Sequence, residues 1–297
     1  MNSIRKLKTI LILFGLFFIS SNTFTQNKKV EYNSKISVHD TLEEGYIIEK
    51  ITIDGFDSRL PFYIERSEIT LIKSYVILLH GLNGRKENWL NRTSPLSEKF
   101  VKLKDSLLSI GYIVIMPDAK YHGERGAETN FTNPSTFYSS QNTEQIENWW
   151  SSTVKDISII IDYIQSITTE QSTTFEVIGY SMGGLMAIHL NSKDERLKSI
   201  IVCVPPLGNS IKNSQRLGLK VENAKKIDLP SNQIYAPLQK SPITLLMGTK
   251  DGWYTTKEAR DFYDKIEIKS KRIIFYDSGH YLPKKFIGDV IQALTTE

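Results

Sequence analysis

The chain has 297 residues, of which 40% are hydrophobic and 24% charged, and its formal net charge is +4. This composition is ordinary for a globular protein that buries a sizeable core. No basic stripe with interleaved aromatic residues occurs, which argues against a dedicated nucleic-acid binder. Cys203 is the only cysteine, so the chain can form neither an intrachain disulfide nor a Cys-rich metal site.

The N-terminal 25 residues have the pattern of a secretory signal peptide. Arg5, Lys6 and Lys8 precede an apolar run over residues 10–19, and a small polar segment over residues 20–26 follows. A membrane-spanning helix needs about 20 apolar residues, so this run is too short to remain as a stable span. The pattern predicts an exported protein, periplasmic or secreted, that is cleaved near residue 25 and has no stable membrane span after signal removal.

The segment that follows the leader predicts an antiparallel start to the fold. Residues 27–44 are polar and are expected to form a loose lead-in. Apolar residues then alternate with polar ones over residues 45–53 and again over 60–64, with Asp-Gly and Asp-Ser pairs between the two runs, as in a β-hairpin.

Buried strands and helices alternate along the rest of the chain. Continuous apolar runs of five or so residues predict strands covered on both faces, and they lie at residues 75–79, 112–116, 175–178, 200–204, 243–247 and 272–276. Helical patterns lie between or after them, at residues 95–110, 149–167, 182–190, 257–266 and 286–294. The alternation predicts an α/β protein with a doubly wound, mostly parallel sheet of about eight strands. We expect one domain over residues 26–297, in which residues 207–240 form a small cap or lid insertion.

The sequence Gly179-Tyr180-Ser181-Met182-Gly183 follows one of these strands and precedes a helix. Gly-x-Ser-x-Gly in this context is typical of a nucleophile elbow, a tight turn that exposes the serine hydroxyl above the edge of the sheet. The glycines are needed because side chains there would collide with the neighbouring strand or helix. The same pentapeptide also occurs in Gly-rich loops with an ordinary serine, so its meaning depends on partners elsewhere in the chain.

Two such partners follow later strands. Asp251 comes after the strand at 243–247, and His280 comes after the last strand. An imidazole can take the proton of a serine hydroxyl and return it to a leaving group, and a carboxylate can orient that imidazole. Ligands in such sheets bind beyond the carboxyl ends of the strands, where these residues are expected to meet. Asp228 and Asp277 are rival carboxylates, although Asp277 is very near His280 in sequence.

An oxyanion hole needs two backbone N–H groups beside the serine. One is expected from Met182, the residue after the nucleophile, and the other from Leu82 in the loop His80-Gly81-Leu82-Asn83-Gly84. His80 is expected to brace this loop through a hydrogen bond. Packing or ion pairing is expected of His122 and Arg125.

Five motifs in this order, HGLNG, PDAKYHGER, GYSMGG, GTKDG and SGH, make the chain from about Gly45 onward resemble the α/β-hydrolase superfamily. Among its branches, the chain looks like the dienelactone-hydrolase and prolyl-oligopeptidase-like serine hydrolases. The resemblance implies an ester or amide hydrolase that uses no cofactor, with the order Ser181, Asp251, His280 expected of the family.

We therefore expect a serine hydrolase that cleaves a carboxylic ester through an acyl-enzyme intermediate. Two alternatives remain open: a prolyl-oligopeptidase-like serine peptidase, and a non-catalytic binding protein that retains the fold. The expected partner is a small-molecule or peptide substrate, with no nucleic acid. The five histidines lack the spacing of a metal site such as His-Glu-x-x-His, so no metal is expected. The sequence leaves the oligomeric state unknown.

Overall fold

A computed structural model describes residues 35–39, 45–68, 74–168, 173–227 and 233–296. The predicted signal peptide over residues 1–25 and the rival carboxylate Asp228 lie outside these residues. No helix within the described ranges is both long enough and apolar enough to pass through a bilayer.

One sheet of nine strands forms the centre of the structure. In chain order the strands are β1 (Lys35–His39), β2 (Tyr46–Asp54), β3 (Arg59–Ser67), β4 (Ser74–Leu79), β5 (Ile113–Pro117), β6 (Thr174–Tyr180), β7 (Leu197–Cys203), β8 (Ile243–Gly248) and β9 (Lys271–Tyr276). Their order across the sheet is β1-β2-β3-β5-β4-β6-β7-β8-β9. The pairs among β1, β2, β3 and β5 are antiparallel, and those from β5 through β4 to β9 are parallel.

Helices connect and flank the strands. They are α1 (Pro95–Ser109), α2 (Thr136–Ser139), α3 (Thr143–Ile167), α4 (Met182–Asn191), α5 (Ser210–Arg216), α6 (Val221–Ala224), α7 (Thr256–Lys265) and α8 (Phe286–Thr295). Short 3-10 helices cover Lys86–Trp89, Gly123–Thr129 and Gln233–Tyr235. The mostly parallel sheet with flanking helices confirms the predicted fold class, and strands β2 to β9 are the eight that the sequence indicated.

The ninth strand corrects the interpretation of residues 27–44 as a loose lead-in. Residues Lys35–His39 form β1 and pair antiparallel with β2, from Lys35 opposite Thr52 to His39 opposite Ile48. The sequence of β1, Lys-Ile-Ser-Val-His, does alternate apolar and polar residues, but five residues are too few to be recognised among polar neighbours. Its partner strand supplies the hydrogen bonds that make this edge strand form.

Helix α3 begins earlier than the apolar periodicity indicated. The pattern predicted a start at Trp149, whereas the helix begins at Thr143. Asn142 sets this beginning, because its side chain accepts a hydrogen bond from the N–H of Gln145 at 3.1 Å. Polar residues of the first turns were mistaken for loop because a capped helix start carries little apolar signal.

The strands at the centre of the sheet carry the core. In β4, Val76, Ile77 and Leu78 are fully buried, and every residue of β8 is buried. A parallel strand between two helical layers has apolar contacts on both faces, which explains the continuous apolar runs in the sequence. The strands β4, β5, β6, β8 and β9 are parallel, so the loops that follow them start at the same edge of the sheet. The candidate site lies at this edge.

Candidate active site

Ser181 lies between β6 and α4 in a backbone conformation that most residues avoid. Its φ is 55° and its ψ is −115°, outside the regions allowed to residues with a side chain without strain. A Cβ added at Gly179 would overlap the carbonyl of Gly183, and one added at Gly183 would overlap the carbonyl of Leu79. The N–H of Ser181 donates to the carbonyl of Cys203 at 2.8 Å. The turn is thus fixed by close backbone packing that only glycines on both sides permit.

The structure brings the predicted serine, histidine and aspartate into one hydrogen-bonded chain. Nε2 of His280 lies 2.8 Å from Oγ of Ser181, and Nδ1 of His280 lies 2.7 Å from Oδ2 of Asp251. A carboxylate accepts only, so Nδ1 carries the proton and Nε2 is left with a lone pair toward the hydroxyl. The second oxygen of Asp251 accepts from the N–H of Trp253 at 2.9 Å. The arrangement can remove a proton from Ser181.

The remaining rival carboxylate among the described residues has a different partner. Asp277 forms an ion pair with Lys250 at 2.7 Å, and both side chains are largely exposed. The side chain of Asp251 is completely buried beside the histidine. Burial matters here, because a carboxylate interacts more strongly with a developing imidazolium where water is excluded.

Gly81 and Met182 flank Ser181 from two different loops. A Cβ added at Gly81 would lie 3.5 Å from the Cβ of Ser181, so the loop after β4 passes directly beside the serine. Met182 is the first residue of α4, and the N–H groups at a helix start have no partner within the helix. Leu82 and Met182 both line the cavity that contains Ser181. The two residues expected to supply the oxyanion hole therefore line the same cavity as Ser181.

His80 holds the loop after β4 to the loop after β5. Its Nε2 accepts from the N–H of Ala119 at 3.1 Å, which leaves the proton on Nδ1 to donate to the carbonyl of Gly81 at 2.9 Å. Burial lowers the pKa of His80 to about 4, so the ring is neutral at neutral pH. Its contacts are those of the bracing residue expected from the sequence.

A buried ion pair adds a second connection between the same two loops. Nζ of Lys86 lies 2.7 Å from Oδ2 of Asp118 and 2.6 Å from Oε1 of Glu124. The backbone N–H groups of Lys86 and Glu124 also donate to the Asp118 carboxylate, at 2.9 and 3.0 Å. Burial lowers the pKa of Lys86, but the neighbouring carboxylates outweigh burial and hold the pKa above its ordinary value. The sequence analysis gave these residues no role, although Lys86 stands two residues after the motif HGLNG and Asp118 lies inside PDAKYHGER.

The histidine and arginine of the PDAKYHGER segment lie away from the cavity. Arg125 is buried and pairs with Asp156 at 2.7 Å and with Glu128 at 3.1 Å. His122 is buried against the ring of Trp149, with 5.2 Å between ring centroids, and burial lowers its pKa to about 3. These contacts agree with the packing and ion-pairing roles expected for both residues.

Tyr180 is a residue of the site that sequence reasoning missed. It is buried in the middle of the elbow motif, and its hydroxyl donates to the carbonyl of His280 at 2.8 Å and accepts from the N–H of Leu282 at 3.1 Å. Tyr180 therefore joins the serine loop directly to the histidine loop. The motif Gly-x-Ser-x-Gly does not specify the residue before the serine, so a search for the motif gives no information about Tyr180.

Ser181 opens into a cavity of about 390 Å³, within the range typical of small-molecule sites. Its walls come from helices α1 to α5 and from the loops after β4, β8 and β9. Helix α5 belongs to the segment between β7 and β8 that the sequence predicted as a cap. Among the described residues, no group of three or more His, Cys, Asp or Glu side chains is placed to hold a metal ion.

Helix α5 is bonded to the loop that carries Asp251. Nδ2 of Asn213 donates to the carbonyl of Trp253 at 3.1 Å, and Nη1 of Arg216 donates to the carbonyl of Gly252 at 2.6 Å. The guanidinium of Arg216 also lies over the Trp253 ring, 4.4 Å from its centroid. These contacts therefore fix the position of α5 relative to the loop that carries Asp251.

A family model described as "Serine hydrolase (FSH1)" matches residues 71–286. Among solved structures, a cold-adapted esterase from an Arctic intertidal metagenomic library has 15% identity and a TM-score of 0.64, over 89% of this chain and 98% of that chain. Acetyl xylan esterase 1 from Thermoanaerobacterium sp. JW/SL YS485 has 14% identity and a TM-score of 0.67, over 90% and 88%. An esterase from Pyrococcus furiosus has 19% identity and a TM-score of 0.55, over 89% and 92%. No curated protein sequence matches the chain significantly.

Proposed function

The chain belongs to the serine hydrolase (FSH1) family, and we propose that it hydrolyses carboxylic esters through an acyl-enzyme intermediate with a Ser181, His280 and Asp251 triad. The observation that supports this most is the unbroken hydrogen-bonded chain from the Ser181 hydroxyl through His280 to the buried Asp251. Family membership and the α/β-hydrolase fold agree with a hydrolase. The residue roles and the intermediate are our proposal.

In the first half of the reaction, Oγ of Ser181 attacks the ester carbonyl as Nε2 of His280 takes the hydroxyl proton. Asp251 accepts from Nδ1 and stabilises the imidazolium that results. The proton then passes from His280 to the alkoxide that leaves, so that an alcohol departs and the acyl group stays on Ser181. In the second half, His280 takes a proton from water as the water oxygen attacks the acyl carbon. The bond from that carbon to Oγ of Ser181 then breaks, His280 returns the proton to Oγ, and the acid leaves.

Negative charge develops on the carbonyl oxygen in both halves. We assign its stabilisation to the backbone N–H groups of Leu82 and Met182. Two such donors are worth a few kcal/mol because they are already oriented and need no reorganisation during the reaction. Met182 also stands at the start of α4, where the helix dipole favours negative charge. His80, Lys86 and Asp118 support this arrangement by holding the Leu82 loop in place.

The cavity favours an ester over a peptide. None of the described residues that line the cavity is Asp, Glu, Lys or Arg. A peptidase that reads a chain terminus needs a charge to pair with it, and this wall offers none. The similar structures named above are titled esterases, which is consistent with this choice. A non-catalytic binding protein is disfavoured, because such a protein has no need to keep the strained Ser181 turn or the aligned histidine.

We also propose that residues 1–25 direct export, and that residues 26–297 form one domain whose residues 207–240 serve as a cap over the cavity. The described part of this segment contributes α5 to the cavity wall, which supports the cap. Sequencing the N-terminus of the protein recovered outside the cytoplasm tests export. A start near residue 26 is expected, and an intact Met1 on exported or retained protein would contradict the cleavage.

A fluorophosphonate probe tests the proposed nucleophile. The wild-type protein should be labelled, and Ser181→Ala should abolish labelling. Ser192→Ala is the matched control, since Ser192 stands just beyond the other end of α4 and its hydroxyl donates to a helix carbonyl. Labelling that survives Ser181→Ala would contradict the assignment.

A further inference from the structure

The cavity beside Ser181 is much larger than a small acyl group requires. Its volume is about 390 Å³, whereas an apolar cavity of about 150 Å³ is enough to bind benzene. An acetyl group at Ser181 would occupy a small part of this space. Water would fill the rest of the cavity, and the apolar walls would contribute little to the free energy of substrate binding.

The walls are mainly aromatic and aliphatic. The apolar side chains of the walls come from helices α1, α3 and α4 and from the residue after α5, and they include Phe100, Trp149, Trp150, Leu185 and Leu217. Phe100 and Tyr180 meet edge to face, with 5.0 Å between ring centroids, and Trp149 stacks on Trp150 at 5.2 Å. Removing apolar surface of this kind from water is favourable in proportion to the area covered. Binding in this cavity is therefore more favourable for a ligand group that is itself apolar and large.

Several polar side chains in the walls already have partners within the protein. Oη of Tyr138 accepts from Nε1 of Trp150 at 3.3 Å, and the hydroxyls of Ser94 and Ser97 lie 3.0 Å apart in the capping box of α1. Nδ2 of Asn213 donates to a backbone carbonyl at 3.1 Å. A sugar would bury many hydroxyls against groups whose hydrogen bonds are already made, which is costly.

Oγ of Ser214 and Nε1 of Trp149 are buried polar atoms of lining residues that have no hydrogen-bond partner among the described residues. Because both atoms are buried, they add no accessible donor to the cavity surface. Neither carries a charge, and no described residue in the walls does. A carboxylate or an ammonium on the ligand would lose its hydration in this cavity without gaining a counter-ion.

We infer that the substrate is an uncharged ester with a bulky apolar group, the size of a phenylalkyl group or larger, attached on one side of the bond that breaks. This substrate class rests on the proposed ester hydrolysis and adds to it what fills the cavity. The cavity chemistry is the same whether the bulky group belongs to the acid or to the alcohol, and the substrates below separate the two.

Three uncharged esters test the substrate class with purified protein. Methyl acetate has no bulky group. Methyl 3-phenylpropanoate and 2-phenylethyl acetate are isomers in which the phenylalkyl group lies on the acid and on the alcohol side, respectively. The measurement is kcat/KM from acid release at constant pH. At least one isomer should exceed methyl acetate by about 10- to 100-fold, the gain expected from burying one phenyl-sized group, and the better isomer identifies the side.

A kcat/KM for methyl acetate that equals or exceeds those of both isomers would overturn the inference while leaving ester hydrolysis intact. Failure of the proposed function looks different, because then no ester is cleaved and fluorophosphonate labelling does not depend on Ser181. Charge is tested by adding a carboxylate to the ring of the better isomer. We expect kcat/KM to fall at least tenfold, and an unchanged value would contradict an uncharged substrate.

A pair of variants at the end of α5 tests whether the bulky group lies in the cavity. Leu217, the residue that follows α5, lines the cavity, whereas Gln215 in the last turn of α5 is exposed and does not. Leu217→Trp should lower the ratio of kcat/KM for the better isomer to that for methyl acetate by about tenfold, because the indole occupies the space. Gln215→Trp should keep the wild-type ratio. Equal ratios in both variants, with thermal melting showing that both are folded, would contradict the location.

Discussion

Two groups of loops meet at Ser181, and different forces hold them in place. On the acid–base side, the loops after β8 and β9 carry Asp251 and His280, which are joined by hydrogen bonds. On the ion-paired side, the loops after β4 and β5, residues 80–90 and 118–130, are joined by the buried pair of Lys86 with Asp118. In the proposed mechanism, the acid–base side transfers a proton through His280, whereas the ion-paired side holds the backbone of the Leu82 loop in a fixed position.

The two histidines beside Ser181 illustrate this difference. The side chain of His280 is 23% exposed, so water can reach it for the second half of the reaction. His80 is 2% exposed, and both of its ring nitrogens are already hydrogen-bonded to the backbone. The same residue type is thus proposed as a proton carrier where it keeps solvent contact, and it braces a loop where it is buried.

Breaking the acid–base side should have the largest effect on rate. Asp251→Asn removes the carboxylate that fixes the His280 tautomer, and kcat should fall by about 10⁴, on the precedent of the same change in a serine protease triad. Asp277→Asn is the matched control, because Asp277 is exposed and pairs only with Lys250 among the described residues. Initial-rate kinetics on one ester give the comparison. If Asp277→Asn lowered kcat more than Asp251→Asn, the carboxylate that orients His280 would be Asp277 and the assignment of Asp251 would be wrong.

Breaking the ion-paired side should instead reduce stability first. Lys86→Met leaves the buried Asp118 carboxylate without its main partner, and the free energy of unfolding should fall by about 3–5 kcal/mol. Asp118→Asn in the same chain removes the unpaired charge and keeps an oxygen for one of the two backbone N–H groups, which bind different oxygens of the carboxylate, so part of the loss should be recovered. Urea unfolding measures both variants.

The exposed pair of Lys250 with Asp277 provides the control for this experiment. Lys250→Met should leave the urea midpoint nearly unchanged, since exposed ion pairs contribute little. A double variant, Lys86→Met with Asp118→Asn, that is no more stable than Lys86→Met alone would show that the loops are not joined through charge.

The ion-paired side should also make the fold sensitive to acid. The pKa of His80 is lowered to about 4, below its unfolded value near 6.5. The stabilisation from its neutral form is therefore present above about pH 6.5 and is lost as the pH falls toward 4. Between pH 7 and pH 5 this residue should remove about 2 kcal/mol from the free energy of unfolding.

His80→Asn tests this, because an amide can donate and accept but does not titrate in this range. Urea unfolding at pH 7 and pH 5 should show a smaller loss for His80→Asn than for the wild type. An equal loss in the two proteins would mean that His80 does not contribute to the acid sensitivity.

The smallest predicted effect concerns the connection between the serine and histidine loops. Tyr180→Phe leaves the Leu282 N–H without its acceptor and the His280 carbonyl without its donor. We expect kcat to fall about tenfold with little change in KM, the size of a lost buried hydrogen bond. Tyr276→Phe is the control, since the Tyr276 hydroxyl donates to Asp289 instead. Equal kcat values in the two variants would contradict a positioning role for Tyr180.

The parallel half of the sheet could be predicted from the sequence because each strand there is buried on both faces. Continuous apolar runs such as Val76 to Leu79 and Leu245 to Met247 predict strands that are covered on both faces. Strand β1 and the first turns of α3 could not be predicted in the same way. They depend on one neighbouring strand and on one capping side chain, and neither of these leaves an apolar period in the sequence.

The order of Ser181, Asp251 and His280 was readable because each follows a strand that ends at the same edge of the sheet. The contacts of Lys86 and Tyr180 were not readable. Lys86 and Asp118 are 32 residues apart in the sequence, and Tyr180 is 100 residues from His280, whose carbonyl it contacts. Such pairs are set by the topology of the sheet, and a local motif cannot reveal which loops lie side by side.

The central claim, an acyl-enzyme on Ser181, can be tested with 4-nitrophenyl acetate. Mixing it with the purified protein should release a burst of 4-nitrophenolate equal to the enzyme concentration. Acid quench and peptide mapping should find one acetyl group on the peptide that contains Ser181. A chain that hydrolyses this ester with neither a burst nor an adduct, or with the acetyl group on another residue, would contradict the account.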